Sequence, residues 1–283
     1  MIGTDKKAGI STACFYPVPL EESFDLICGK LKYKVCELFL NTESETKTGF
    51  LKGIKSKACG EGVKIAAVHP YFSGYEEFLF FTPYKRRTYD SVKLYRMFFE
   101  AARFLQADYV IFHGLGAREL KFPVEEYAEI FLLISAEAEK YGVELLQENV
   151  GAANGFIKEL SAAAPGIKFT LDFKHAVSCG YDVLDIIEYM GGGKNIAHIH
   201  LNDMITTADN TGGGVSKTEM CRLPFFGNLN YSEIFKKLKD INYTGNFITE
   251  VYRFNYADDF EIAESKKKFE EFINNLLFKE RNE

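Results

Sequence analysis

Five histidines occur in the 283 residues: His69, His113, His175, His198 and His200. Each falls at or near the end of a short apolar run, and none is placed in a stretch of helical period. Acids stand in equivalent places: Glu37, Glu148, Asp172 and Glu250. Imidazoles and carboxylates in concert bind divalent cations. They also move protons near neutral pH when their surroundings tune them. One imidazole and three carboxylates, His200 with Glu148, Asp172 and Glu250, would form a mostly oxygen donor set. That set suits Mn²⁺, Co²⁺, Zn²⁺ or Mg²⁺ and not a thiophilic metal.

Residues so far apart in sequence meet only if a fold gathers the ends of the apolar runs. Those runs are 9–15, 35–41, 64–72, 108–114, 143–149, 167–175, 196–203 and 246–252. They are rich in Val, Ile, Phe and Leu, as parallel strands covered by helices are. Helical period fills much of the chain between them. In 90–105 an apolar face is read from Leu94, Phe98, Ala101, Ala102 and Leu105, with Asp90 or Ser91 as the cap. Tyr127, Ile130, Phe131, Ile134 and Ala138 repeat the pattern in 124–141, and Gly142 suits the position after the helix. Stretches 182–190, 231–238 and 258–277 are further helices.

Eight such units predict one closed (β/α)8 TIM barrel spanning residues 1–283 as a single domain. No GxGxxG follows the first run, so an open dinucleotide-binding sheet lacks its usual support. In a barrel, functional residues come from the C-terminal rim of several strands at once. Glu148, Asp172, His200 and Glu250 end the fifth to eighth strands, which are neighbours, so they are expected to converge on one ion. Two long connections stand out. Segment 70–87 carries Tyr71, Phe72, Tyr75, Phe78, Phe80, Phe81 and Tyr84, read either as packing over the rim or as a lid; segment 204–230 contains Gly212, Gly213 and Gly214.

Net charge is −6, a balance that argues against a nucleic-acid partner, since phosphate binding usually leaves a basic footprint. Six cysteines form no CxxC pair and are read as reduced core residues of a cytoplasmic protein. No apolar run follows the N-terminal residues as a signal peptide would require, and none is long enough for a membrane span.

The motifs together resemble the xylose isomerase-like barrel superfamily, which includes sugar epimerases such as D-tagatose 3-epimerase, inosose dehydratases and endonuclease IV. They are Val68-His69-Pro70, Phe112-His113-Gly114, Gln147-Glu148-Asn149, Leu171-Asp172-Phe173-Lys174-His175, His198-Ile199-His200-Leu201-Asn202-Asp203 and Thr249-Glu250-Val251, and the resemblance covers roughly residues 8–255. It implies a metal-dependent isomerase or epimerase of a sugar or sugar phosphate, with one divalent ion on Glu148, Asp172, His200 and Glu250. It also implies that Glu148 and Glu250 form the acid/base pair and that His175 stands near the substrate oxygens. His69, His113 and Glu37 are assigned to substrate binding, with a second ion on His69 and His113 left open. Glu37 serves equally as a partner of a histidine, and His198 is read as a hydrogen-bonded core residue. The Arg that the epimerases carry shortly after the seventh-strand histidine has no counterpart here. An inosose dehydratase-like lyase, an endonuclease IV-like enzyme and a sugar-binding barrel without turnover are the rival readings. Substrate identity and oligomeric state are not encoded in these motifs.

Overall fold

A computed structural model describes residues 8–115, 123–151, 153–191, 195–207 and 217–279. Eight parallel strands close on themselves, each pairing only with its neighbours around the ring. In chain order they are β1 (Ala8–Ser11), β2 (Val35–Phe39), β3 (Lys64–His69), β4 (Tyr109–Phe112), β5 (Glu144–Glu148), β6 (Lys168–Asp172), β7 (Ile196–Leu201) and, after an inserted hairpin, β10 (Asn246–Thr249). The hairpin is β8 (Asp203–Thr207) against β9 (Lys217–Arg222), antiparallel. It occupies much of the long segment after β7; Gly212, Gly213 and Gly214 lie outside the described residues.

Helices cover the outside: α1 (Leu20–Asp25), α2 (Thr48–Glu61), α3 (Glu76–Phe80), α4 (Lys85–Leu105), α5 (Val124–Glu139), α6 (Ala153–Ala163), α7 (Phe173–Ser178), α8 (Val183–Tyr189), α9 (Tyr231–Asp240) and α10 (Asp259–Lys279). The main core lies between this layer and the strands. A second, smaller cluster is Ala67, Ile111 and Leu146. Each precedes a rim residue by two positions, namely His69, His113 and Glu148, so it points to the same interior. These side chains form an apolar floor beneath the polar rim.

Several expectations are corrected. Segment 70–87 is not one loop: it holds a 3₁₀ turn at Ser73–Tyr75, then α3, and α4 begins at Lys85. Most of its aromatics pack. Phe80 is buried against Tyr95 and Phe112, and Phe81 stacks on Tyr127 at 4.3 Å between centroids. Tyr75, Phe78 and Tyr84 are exposed. Neither Asp90 nor Ser91 caps α4, because both lie inside it. Leu94 faces solvent, while Tyr95 and Phe99 supply the inward face beside Phe98. The apolar face of α5 is buried as read, and Gly142 takes φ +71 after it. All six cysteines are free; Cys14, Cys28 and Cys36 are buried, but Cys59 and Cys179 are exposed. No helix of the described residues is long and apolar enough to cross a membrane.

Candidate metal centre and active site

The strand register sets the rim. Asp172 of β6 pairs in register with His200 of β7. Glu148 ends β5, and Glu250 follows β10 directly. One ligand atom from each of Glu148, Asp172, His200 and Glu250 falls within 4.8 Å of the others. His200 Nδ1 is the hub, 3.0 Å from Glu250, 3.2 Å from Glu148 and 3.7 Å from Asp172.

The chain fixes these side chains one by one. Asp172 caps α7, its Oδ1 accepting from the His175 amide at 3.0 Å. His175 is therefore helical and not the last residue of a strand as expected, because the cap turns the chain at Phe173. Asn149 brackets the Asp172 backbone, accepting from its N–H at 2.6 Å and donating to its carbonyl at 2.9 Å. Asn202 donates to Asp172 Oδ1 at 3.1 Å and accepts from the Lys174 amide at 2.7 Å. Gln147 ties β5 to β4, donating to the carbonyl of His113 at 2.9 Å and accepting from Tyr127 at 2.5 Å.

His200 is gripped from behind as well. Its Nε2 donates to Glu37 Oε2 at 3.0 Å, and His198 Nε2 donates to the same oxygen at 3.0 Å. This assigns the tautomer that leaves Nδ1 facing the three carboxylates. Glu37 is fully buried behind His200 and is not among the residues lining the cavity; its contacts are with His198 and His200. His198 is fully buried, as read.

His69 and His113 flank Glu148. His113 Nε2 lies 3.0 Å from Glu148 Oε2, and His69 Nε2 lies 3.7 Å from it. These three form a second cluster within 4.8 Å, with Glu148 common to both. His175 Nε2 approaches Glu148 Oε1 at 3.6 Å.

Electrostatics follow the burial and the crowding of charge. Burial pushes Glu37 up, but His200 and His198 pull it further the other way and hold it well below the usual carboxylate range. Glu148 behaves likewise, with His113 and His200 overriding burial. Asp172 is lowered against burial by Lys174 and His175. Burial opposes the proton on His200, yet Glu250, Glu37 and Glu148 raise it well above the ordinary histidine value. The proton is a stand-in for positive charge that four converging acids demand. His175 is lowered by burial, which with Lys174 outweighs the pull of Asp172.

The donor set fits a hard divalent cation. Glu148 Oε2 and Asp172 Oδ2 are buried and accept no hydrogen bond, a costly state for a carboxylate oxygen unless a cation takes it. Above the cluster opens a cavity of about 340 Å³. His69, His113, Lys174, His175 and Glu250 supply its charged and imidazole lining, and Tyr16, Phe39, Tyr71 and Tyr252 its aromatic lining.

A family model described as the xylose isomerase-like TIM barrel matches residues 28–272. The chain belongs to this family. Among solved structures, a D-tagatose 3-epimerase-like protein superposes on this xylose isomerase-like barrel with a TM-score of 0.74 at 21% identity, covering 96% of this chain and 99% of that one. The D-psicose 3-epimerase of Clostridium cellulolyticum H10 gives 0.71 at 15% identity, covering 94% and 98%. The probable 3-DHS dehydratase AsbF of Bacillus anthracis gives 0.67 at 14%, covering 92% and 97%. At these identities the likeness is one of fold. No curated protein matches the chain by sequence.

Sequence reasoning singled out the rim but passed over Glu76 and Lys174. Glu76 of α3 is fully buried and accepts from the amide of Gly114 at 2.5 Å and from the Tyr95 hydroxyl. A carboxyl beginning a five-residue helix has no periodic signature.

Proposed function

We propose that this barrel is a divalent-metal-dependent isomerase or epimerase of a small sugar or sugar derivative. The observation that carries the reading is the convergence of Glu148, Asp172, His200 and Glu250 from four adjacent strands at the floor of the cavity. Glu148, Asp172, His200 and Glu250 hold the ion, chosen from Mn²⁺, Co²⁺, Zn²⁺ and Mg²⁺. A divalent ion held there supplies the positive charge that lowers the cost of an oxyanion beside the reacting carbon.

The protein's own groups do the rest. Glu250 faces the cavity and takes a proton from the carbon next to the substrate carbonyl. Glu148 is the second carboxylate of the pair and delivers or accepts the proton of the opposite step. His175 lines the cavity and donates from Nε2 to the oxygen on which negative charge develops. His69 and His113 bind substrate hydroxyls. Because both also meet Glu148, they form the site of a second ion if the enzyme takes two. The aromatic rim of Tyr16, Tyr71 and Tyr252 limits water access and offers faces to a sugar.

The similarity to a probable dehydratase supports a second reading: loss of the same α-proton, followed by departure of a β-hydroxyl as water. One experiment separates the readings. Protein of measured metal content is incubated in D₂O with ketoses, aldoses and inososes, and products are followed by NMR. Deuterium at carbon without loss of water supports the isomerase, and an enone product supports the lyase. Exchange is expected to vanish in Glu148→Gln and Glu250→Gln. Fully metal-loaded protein that exchanges no carbon-bound proton with any sugar would overturn the proposal.

A further inference from the structure

Lys174 is the one ammonium lining the cavity among the described residues, and its position is not that of a solvated lysine. Its side chain is 13% exposed. Its backbone is held by Asn202, and its Nζ lies over the Tyr252 ring at 5.0 Å from the centroid. The closest acid among the described residues is Asp172, whose Oδ2 stands 3.7 Å away, beyond hydrogen-bond reach. That oxygen accepts no hydrogen bond and is one of the two left over for a cation. Once Asp172 is committed to an ion, the ammonium keeps three donors and loses most of its charge compensation. A buried charge in that state is costly unless an anion joins it. Glu250, the only carboxylate lining the cavity among the described residues, belongs to the same donor set. The imidazoles of the lining are His69, His113 and His175, and its phenols are Tyr16, Tyr71 and Tyr252. Among the described residues, the cavity therefore offers a cation with no carboxylate within hydrogen-bond distance.

We propose that Lys174 is the anchor for an anionic substituent, so that the substrate is a sugar derivative bearing a carboxylate or a phosphate and not a neutral sugar. This deepens the reading above and rests on it for the nature of the carbon skeleton. An ammonium is a compact point charge with rotatable donors, suited to either oxyanion.

The test compares Mn²⁺-loaded wild type, Lys174→Met and Lys174→Arg by calorimetry. The probes are D-fructose, its 1-phosphate and 6-phosphate, and D-fructuronate. Wild type is expected to bind at least one of the charged probes about tenfold or more tightly than fructose, the scale of one charge-assisted contact. The phosphate and carboxylate arms tell which group is taken. Lys174→Met should lose most of that preference while retaining Mn²⁺, and Lys174→Arg should keep it. A lysine that merely supports Asp172 would weaken all probes alike and leave the ratio unchanged, which overturns the proposal. So does wild type that prefers no charged probe, or binds none. Thermal melting of each variant with Mn²⁺ controls for folding. The readout needs no turnover: a preference for charged probes without deuterium exchange sinks the isomerase reading alone, and exchange without the preference sinks the anchor alone.

Discussion

His200 and Glu37 are joined at 3.0 Å, from Nε2 to Oε2, on the side of the imidazole away from the three carboxylates. The carboxylate thereby fixes which nitrogen carries hydrogen and how the ring is turned. Outer partners of this kind typically govern metal affinity by about 10–100-fold. Glu37→Gln preserves the shape but replaces an ion pair by a neutral contact, with its amide free to place a donor against two histidines. Mn²⁺ affinity, measured by chelator competition, is expected to fall within that range while circular dichroism stays unchanged. Unchanged affinity would remove Glu37 from the metal centre.

The protonation of His200 predicts how metal stabilisation varies with pH. Its folded-state value lies above the ordinary 6.5. In metal-free protein the stability it contributes is full below pH 6.5 and is lost as pH rises through the elevated value. Glu37 and Glu148 are held below 4.5, so their contribution is present above pH 4.5 and lost as pH falls through the depressed values. An ion replaces the His200 proton, so it competes better as pH rises. The gain in Tm on adding Mn²⁺ to chelator-treated protein should therefore grow from pH 5 toward pH 9, on the order of one proton displaced per ion. A gain that is flat or shrinks with pH would show that Nδ1 is not where the ion goes.

The rim was legible because a parallel barrel buries both faces of its strands, so its strands read as apolar runs and a carboxylate at their ends is conspicuous. Glu148, Asp172, His200 and Glu250 stood out for that reason. A histidine partner for Glu37 was legible as one alternative, but not that the partners are His198 and His200, since these contacts cross 161 and 163 residues of chain with no local pattern. His175 was read as strand because the alternation of apolar Ile167, Phe169, Leu171 and Phe173 with polar residues continues up to it. The cap from Asp172 to the third residue on is a local signal that marks the turn. Lys174 carried no signal of its own within its motif, because only the closure of the ring brings Tyr252 beneath its ammonium. The aromatics of 70–87 gave no period, being spread over a turn, a short helix and the start of a long one.

Asn149 links two strands at the metal centre through three side-chain bonds, two to the Asp172 backbone and one from its amide to Asn154 Oδ1 at 3.0 Å. It is fully buried. Asn149→Ala leaves the Asp172 N–H and C=O short of partners where water has no access. A loss of about 1–3 kcal/mol is expected in urea unfolding. Asn149→Asp should restore the acceptor to Asp172 N but not the donor, and set a further negative charge among carboxylates. It is expected to be no more stable than the alanine variant. Alanine at wild-type stability would mean that Asp172 is held by other means.

Glu76 is a buried carboxyl whose proton is predicted to matter. Burial raises its pKa well above 4.5, opposed by the amides of Gly114 and His113, with Glu148 adding to the rise. The folded protein therefore binds this proton more tightly than the unfolded chain. The Glu76 contribution to stability is largest below pH 4.5 and declines as pH climbs to the raised folded value. Glu76→Gln keeps an acceptor for the Gly114 amide, lets the new amide donate to the Tyr95 hydroxyl, and carries no charge. It should match wild type at low pH and exceed it at pH 8, flattening this part of the stability profile. Glu76→Ala removes both partners and should cost about 1–3 kcal/mol throughout. Because Gly114 adjoins His113 at the cavity and holds φ +70 against Tyr127, loss of the clamp should also weaken sugar binding more than metal binding. Urea unfolding at several pH values, with Mn²⁺ and sugar affinities measured on the same variants, checks all three statements. A Gln variant that is less stable than wild type at pH 8 would mean that the carboxylate is welcome there in its charged form.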